Sequence, residues 1–136
     1  MNMSEASVKP VIGIIGGSGV YDIDGLENVR WETVDSSFGK PSDELSFGQL
    51  AGIDLVFLPR HGRGHPLSPT DINYRANIDA LKRVGVTDII SVSAVGSFKE
   101  ELAPGTFVIV DQFNTFLSGG AAMAASRRQL QRCAPK

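Results

Sequence analysis

The stretch VFLPRHGRGHPLSPTDINYRANIDALKRVGVTDIISVSAVGS, residues 56–97, decides the fold. It opens on an apolar run, Val56-Phe57-Leu58, that stops at Pro59. Its middle carries a helix pattern. Ser68 is placed to cap, Pro69 suits a first helical position, and Asp71 completes a capping-box spacing. Tyr74, Ile78 and Leu81 follow at i, i+4, i+7, the spacing of one helix face. Lys82 and Arg83 fall where the last turn favours cations, and Gly85 ends the pattern. Val86–Ser97 then reads as a buried strand with a small-residue end at Ser93-Ala94-Val95-Gly96. Strand, helix and strand in immediate succession predict a βαβ unit and an α/β sheet.

Upstream, LSFGQLAGIDLVFLP (residues 45–59) predicts two strands joined at Ala51-Gly52, a hairpin. NVRWETV (28–34) interleaves polar and apolar residues, as a half-exposed strand does. VIGIIGGSG (11–19) reads as a buried strand running into a glycine-rich turn. Downstream, ELAPGTFVIVDQF (101–113) predicts a turn at Pro104-Gly105 and a strand over Thr106–Val110. After Phe113 the chain becomes rich in Ala, Arg and Gly and holds no acid. Residues 114–136 are therefore expected to be an atypical basic tail, either a short helix around Ala121–Leu130 or disordered chain. No internal repeat is visible.

The chain has 136 residues, 42% of them hydrophobic and 21% charged, as expected for one soluble globular domain. No apolar run is long enough to span a bilayer, and the first ten residues lack the apolar core of a signal peptide. The single cysteine, Cys133, excludes an internal disulfide framework, and a cytoplasmic setting is the expectation. No Cys/His clustering has zinc-ligand spacing, so no metal is expected. The net charge of −2 combines an acidic body, in which every Asp and Glu lies at or before Asp111, with basic residues near the end. Such a body argues against nucleic-acid binding through bulk charge. Against that background, Arg60, His61, Arg63 and His65 form an unusual local concentration of basic residues.

Ligands of open α/β sheets sit beyond the carboxyl ends of the strands. Three polar segments are expected at such ends: Gly16-Gly17-Ser18-Gly19, Arg60-His61-Gly62-Arg63 and Ser93-Ala94-Val95-Gly96. Together they offer backbone N–H groups, hydroxyls, an arginine fork and an imidazole, which suits a phosphate-sized anion. The glycine turn fails as a dinucleotide fingerprint, because Asp22 stands where the third glycine is needed. It is not a P-loop either, since no Gly-Lys-Ser/Thr follows. A nicotinamide-dependent enzyme is therefore disfavoured. Arg60 and His61, directly at a strand end, read as anion ligands. Arg63 and His65 fit either the site or local hydrogen bonding. Ser93, taken alone, reads as a hydroxyl serving neighbouring backbone.

GIIGGSGVYD, FLPRHGRGHPLSPTDINYRANIDALKRVGVTDIISVSAVGS and ELAPGTFVIVDQF, taken in that order, resemble the 5′-methylthioadenosine phosphorylase branch of the purine nucleoside phosphorylases. The likeness covers about Val11 to Phe113, so residues 1–113 are expected to be the N-terminal part of such a domain. The resemblance implies a three-layer α/β fold with a mixed central sheet, incomplete in this chain. It implies phosphorolysis, in which phosphate attacks C1′ of the ribosyl group and the purine leaves; the products would be adenine and 5-methylthioribose 1-phosphate. No metal or organic cofactor is implied; inorganic phosphate is the co-substrate. Ser18, Arg60, His61, Ser93 and Ala94 fall on phosphate-binding positions, and Ala94, Val95 and Gly96 on the nucleoside side. No residue is identified as the catalytic acid or base. A homotrimer in the cytoplasm, binding a small nucleoside and phosphate, is the family's implication. Related alternatives are purine nucleoside or methylthioinosine phosphorylase, and a non-catalytic phosphate- or nucleotide-binding remnant. Family members are considerably longer, with residues for the base and ribose in their second half. The break in pattern after Phe113 is expected to reflect a shifted reading frame or premature end.

Overall fold

A computed structural model describes residues 9–17, 23–110, 114–117 and 121–124. The chain divides into two compact units, Met1–Ser93 and Ala94–Lys136. In the first unit, strands β1 (Val11–Gly16), β2 (Glu27–Glu32), β3 (Leu45–Leu50), β4 (Ile53–Pro59) and β5 (Asp88–Ser91) form one sheet, with helix α1 (Tyr74–Arg83) between β4 and β5 in sequence. The sheet order is β2-β3-β4-β1-β5. β1 runs parallel to both β4 and β5, while β3 is antiparallel to β2 and β4. This is the mixed sheet of an α/β fold. β4–α1–β5 is the expected βαβ unit, with β1 lying between its two strands.

The hairpin forms where the sequence places it. Ala51 and Gly52 both adopt positive φ, 49° and 78°, the conformation of a two-residue turn that matches strand twist. β4 is central, so Leu55, Val56, Phe57 and Leu58 are all buried and its apolar run does not alternate. Val56 and Leu58 pack with Leu45, Ala80 and Leu81 into the main core cluster. β1 is only half-buried except at Gly13 and Gly16.

Helix α1 departs from expectation at its start and on its face. Ser68 closes a turn instead, donating through Oγ to the Asp71 carboxylate while its carbonyl accepts from Asp71 N at 3.0 Å. Asn73 is the cap, and its side chain accepts from Ala76 N at 3.1 Å. The buried face is Ala76, Asn77, Ala80 and Leu81; Tyr74 and Ile78 are 46% and 47% exposed. The buried face is built from small residues and Leu81, and the larger apolar side chains at 74 and 78 lie half-exposed beside it. Lys82 and Arg83 do occupy the last turn.

The second strand of the βαβ unit is shorter and more open than expected. β5 covers only Asp88–Ser91 and every residue in it is exposed. It lies at the edge of the sheet with β1 as its single neighbour, so only one side and part of one face are covered. In the second unit, Gly105 has φ 90° and Thr106 N donates to the Ala103 carbonyl at 3.1 Å, closing the expected turn. Thr106–Val110 is not a strand. Phe107 and Ile109 are 95% and 90% exposed. The tail contains β6 (Asn114–Leu117) and β7 (Ala121–Ala124), paired antiparallel, so Ala121–Ala124 is strand where a helix or disorder was expected. Residues 125–136, and the expected boundary at Phe113, lie outside the described residues.

Candidate anion site at the strand ends

Parallel pairing brings three strand ends together. Gly16 of β1 is in register with Pro59 of β4, and Ile15 with Ser91 of β5. The ladders run one residue further on each side: Arg60 N donates to the Gly16 carbonyl at 2.9 Å, and Val92 N to the Ile15 carbonyl at 2.8 Å. Arg60 and Ser93 therefore leave the sheet on either side of the end of β1.

The Arg60 guanidinium spans this gap. Its Nη2 donates to Ser93 Oγ at 2.9 Å, and Nη1 reaches the Val92 carbonyl at 3.4 Å. Its Nε donates to His61 Nε2 at 3.0 Å. A guanidinium carries five N–H donors, more than these contacts use, so the fork can hold both Ser93 and an anion. Ser93 thus has a partner that its place in the sequence did not reveal.

His61 is nearly buried, with 9% of its surface exposed. Arginine can only donate, so His61 Nε2 must accept and be unprotonated. The proton of the neutral ring then sits on Nδ1, which lies 3.0 Å from the Leu67 carbonyl and donates to it. Leu67 N returns a bond to the His61 carbonyl at 3.0 Å, closing the loop. His65 stacks on His61 with ring centroids 4.3 Å apart and planes 14° apart.

Arg63 belongs to the scaffold. It bridges Asp43 and Glu44 and lies 4.3 Å over the Trp31 ring. Asp43 also accepts from the Arg63 backbone N. Burial pushes the Asp43 carboxyl up, but hydrogen bonds from the Arg63 side chain and backbone and from Glu44 N outweigh it and lower its pKa. Hydrogen bonds to Asp43 and Glu44 raise the Arg63 pKa further above its ordinary value. A second support comes from α1. Buried Asn77 accepts from Ser42 N at 2.8 Å and donates to Ser42 Oγ at 2.9 Å. The Ser42 carbonyl in turn lies against Gly62, where an added Cβ would come within 3.2 Å of it; Gly62 also has φ 73°. Ser42, Asp43 and Asn77 carry no sequence signal for this role beyond the turn-forming character of Pro41-Ser42-Asp43.

Of the expected phosphate residues, the structure joins Arg60, His61 and Ser93. Ser18 lies outside the described residues. Ala94, Val95 and Gly96 begin the second unit, where all three are exposed. Among the described residues no His, Cys, Asp and Glu group could hold a metal ion, and no helix is long and apolar enough to cross a membrane.

The sequence pattern of the Phosphorylase superfamily matches residues 11–131. The chain belongs to this superfamily. It is 69% identical over 111 residues to an S-methyl-5′-thioadenosine phosphorylase of Rhodospirillum rubrum, covering 82% of this chain and 38% of that protein. A protein of the same name from Geobacter sulfurreducens is 56% identical over 122 residues, covering 83% and 43%. A crystal structure of a methylthioadenosine phosphorylase from an antarctic soil metagenomic library superposes with TM-score 0.66 at 49% identity, covering 71% of this chain and 34% of that one. The Schistosoma mansoni methylthioadenosine phosphorylase in complex with tubercidin gives 0.65 at 47% identity, covering 71% and 35%. The chain thus spans less than half the length of these relatives. The superfamily match extends past Phe113 into the basic tail.

Proposed function

We propose that this chain supplies the phosphate side of a nucleoside phosphorylase whose substrate is 5′-methylthioadenosine. Phosphate would attack C1′ as the glycosidic bond breaks, giving adenine and 5-methylthioribose 1-phosphate. The observation that carries this reading is the Arg60 fork bonded to Ser93 across the end of β1. It presents positive charge and hydroxyl at the carboxyl ends of parallel strands, where ligands of α/β sheets bind. Such a site positions the nucleophile and offsets charge without protonating it, and that is what this reaction requires. Ser18, His61 and Ala94 are proposed to complete the phosphate shell with Arg60 and Ser93, and Ala94, Val95 and Gly96 to serve the nucleoside. Inorganic phosphate is the co-substrate, and no metal or organic cofactor is required. The names of the relatives, at up to 69% identity, support methylthioadenosine over methylthioinosine. A cytoplasmic homotrimer, without nucleic-acid or membrane partners, is part of the same proposal, as is the division into residues 1–113 and a distinct tail over 114–136.

A second reading, phosphate binding without turnover by these 136 residues, is favoured by one observation. Val95, Phe98, Phe107 and Ile109 are between 82% and 95% exposed, an exposed apolar surface of the kind that marks interaction sites. Titration with phosphate and an adenine-release assay on the same chain separate the two. Phosphate binding that weakens about tenfold or more in Arg60→Ala is expected, the loss of at least one charge-assisted hydrogen bond. Adenine release supports the first reading, and binding without release the second. Absence of phosphate binding overturns both.

A further inference from the structure

The loop after β4 turns at Gly62-Arg63-Gly64. Gly62 and Gly64 have φ 73° and 79°, and His65 has φ 62°. A glycine-flanked turn has many alternative conformations, so ordering it is costly unless a side chain pins it. Arg63, between the two glycines, is that side chain. We infer that Arg63 is a positioning residue for the phosphate site: it pins the middle of the loop to Asp43, Glu44 and Trp31, and so holds Arg60 and His61 where phosphate binds. This inference rests on Arg60 and His61 being the phosphate ligands of the loop; Arg63 is not one of them.

The ends of the loop are tied by backbone. Arg60 N donates to the Gly16 carbonyl at 2.9 Å, and Leu67 N to the His61 carbonyl at 3.0 Å. Arg63 ties the middle. Its backbone N and its Nε both donate to Asp43 Oδ2, the latter at 3.2 Å. Its Nη2 donates to Asp43 Oδ1 at 3.1 Å and to Glu44 Oε2 at 2.7 Å. The guanidinium lies 4.3 Å over the Trp31 ring. The receiving groups are themselves fixed. Thr33 Oγ1 donates to Glu44 Oε1 at 3.0 Å, and Glu44 N to Asp43 Oδ1 at 2.8 Å. Ser42 is held to α1 by Asn77, and Trp31 of β2 is in register with Ser46 of β3. The clamp therefore joins the loop to β2, to the segment that enters β3 and, through Ser42, to α1.

The same contacts argue against Arg63 as a further phosphate ligand. Such a ligand presents uncompensated positive charge, whereas Arg63 faces two carboxylates and the trio carries a net charge of about −1. The Asp43 side chain is 14% exposed, so its charge is less screened than that of a surface carboxylate. The two roles predict opposite signs when the Asp43 charge is removed. If Arg63 attracted phosphate through its charge, losing a neutralising partner would tighten binding. If Arg63 holds the loop, losing that partner loosens it and weakens binding.

The test is titration of the full 136-residue chain with inorganic phosphate, each variant being held below its own unfolding transition. Asp43→Asn keeps the shape and removes the charge, and phosphate binding is expected to weaken about threefold to tenfold. Arg63→Lys keeps the positive charge without the planar fork, and should lose about as much as Arg63→Gln. In the Arg63→Gln background Asp43→Asn should add no further loss, because the contact it serves is already gone. NMR of the wild type supplies a readout that does not depend on any variant folding. The Arg63 Nε–H signal should keep its position and slow exchange as phosphate is added, while the Arg60 Nε–H signal moves. Tighter phosphate binding in Asp43→Asn, wild-type affinity in Arg63→Gln, or an Arg63 signal that follows phosphate as that of Arg60 does, overturns the inference and leaves the site standing. A wild type that does not bind phosphate overturns the anion site and this inference with it.

Discussion

Asn77 ties the helix to the loop that supports the anion site, and Asn77→Ala should be costly for a single side chain. The amide is 2% exposed and makes two hydrogen bonds to Ser42, one to the backbone N and one to the hydroxyl. Each bond is worth about 1 kcal/mol net, and leaving the part-buried Ser42 N–H without a partner adds about 1–2 kcal/mol. The expected loss is about 3–4 kcal/mol, a large share of a small domain's stability. Urea unfolding followed by circular dichroism should show the midpoint falling by about 1–2 M with the slope unchanged. Ser42→Ala removes only the hydroxyl bond and leaves the buried Asn77 N–H without it, and should cost about 2 kcal/mol, so the excess in Asn77→Ala reports the backbone contact. Because the Ser42 carbonyl rests on the Gly62 position, Asn77→Ala should also weaken phosphate binding, although Asn77 has no contact with Arg60. If Asn77→Ala costs no more than Ser42→Ala, the backbone bond contributes nothing and the reasoning fails.

Three further outcomes follow from the same scaffold. Gly62→Ala forces a side chain into a positive-φ position against Ser42 and Pro66, and should cost about 2 kcal/mol or more in thermal or urea unfolding, with weaker phosphate binding. Asp43 has a lowered carboxyl pKa in the folded chain, so its contribution is present above the unfolded pKa and is lost as pH falls through the lowered one. The stability gap between wild type and Asp43→Asn should therefore be full at neutral pH and close on acidification; a gap independent of pH would contradict the assignment. Ala51→Gly removes a non-glycine residue from a φ of 49° in the hairpin turn and should raise stability by about 0.5–1 kcal/mol, read as a higher unfolding midpoint.

Much of the site was legible because strand ends are marked by short-range chemistry. Pro59 stops β4, and Arg60-His61 follows at once. The hairpin turn and the βαβ order could also be read locally. His61 and Arg63 could not be sorted that way, because their partners, Leu67 and the Asp43-Glu44 pair, are identified only by three-dimensional contact. The buried face of the helix is not legible from the sequence for a related reason. Amphipathic spacing weights large apolar side chains, whereas the buried face is Ala76, Asn77, Ala80 and Leu81, with Ala80 and Leu81 in the core cluster and Asn77 bonded to the Ser42 loop.

Sequence alone determined the α/β class, the hairpin, the parallel crossover, the positions of Arg60 and Ser93 at strand ends, and the family. These depend on residue type, spacing and local turn chemistry. Tertiary structure decided which of those residues meet. Strand order places β1 between β4 and β5, so residues 33 positions apart, Arg60 and Ser93, come within a hydrogen bond. It also decided that β5 is open and that Thr106–Val110 is not a strand, because burial and pairing depend on neighbouring elements that local sequence does not specify.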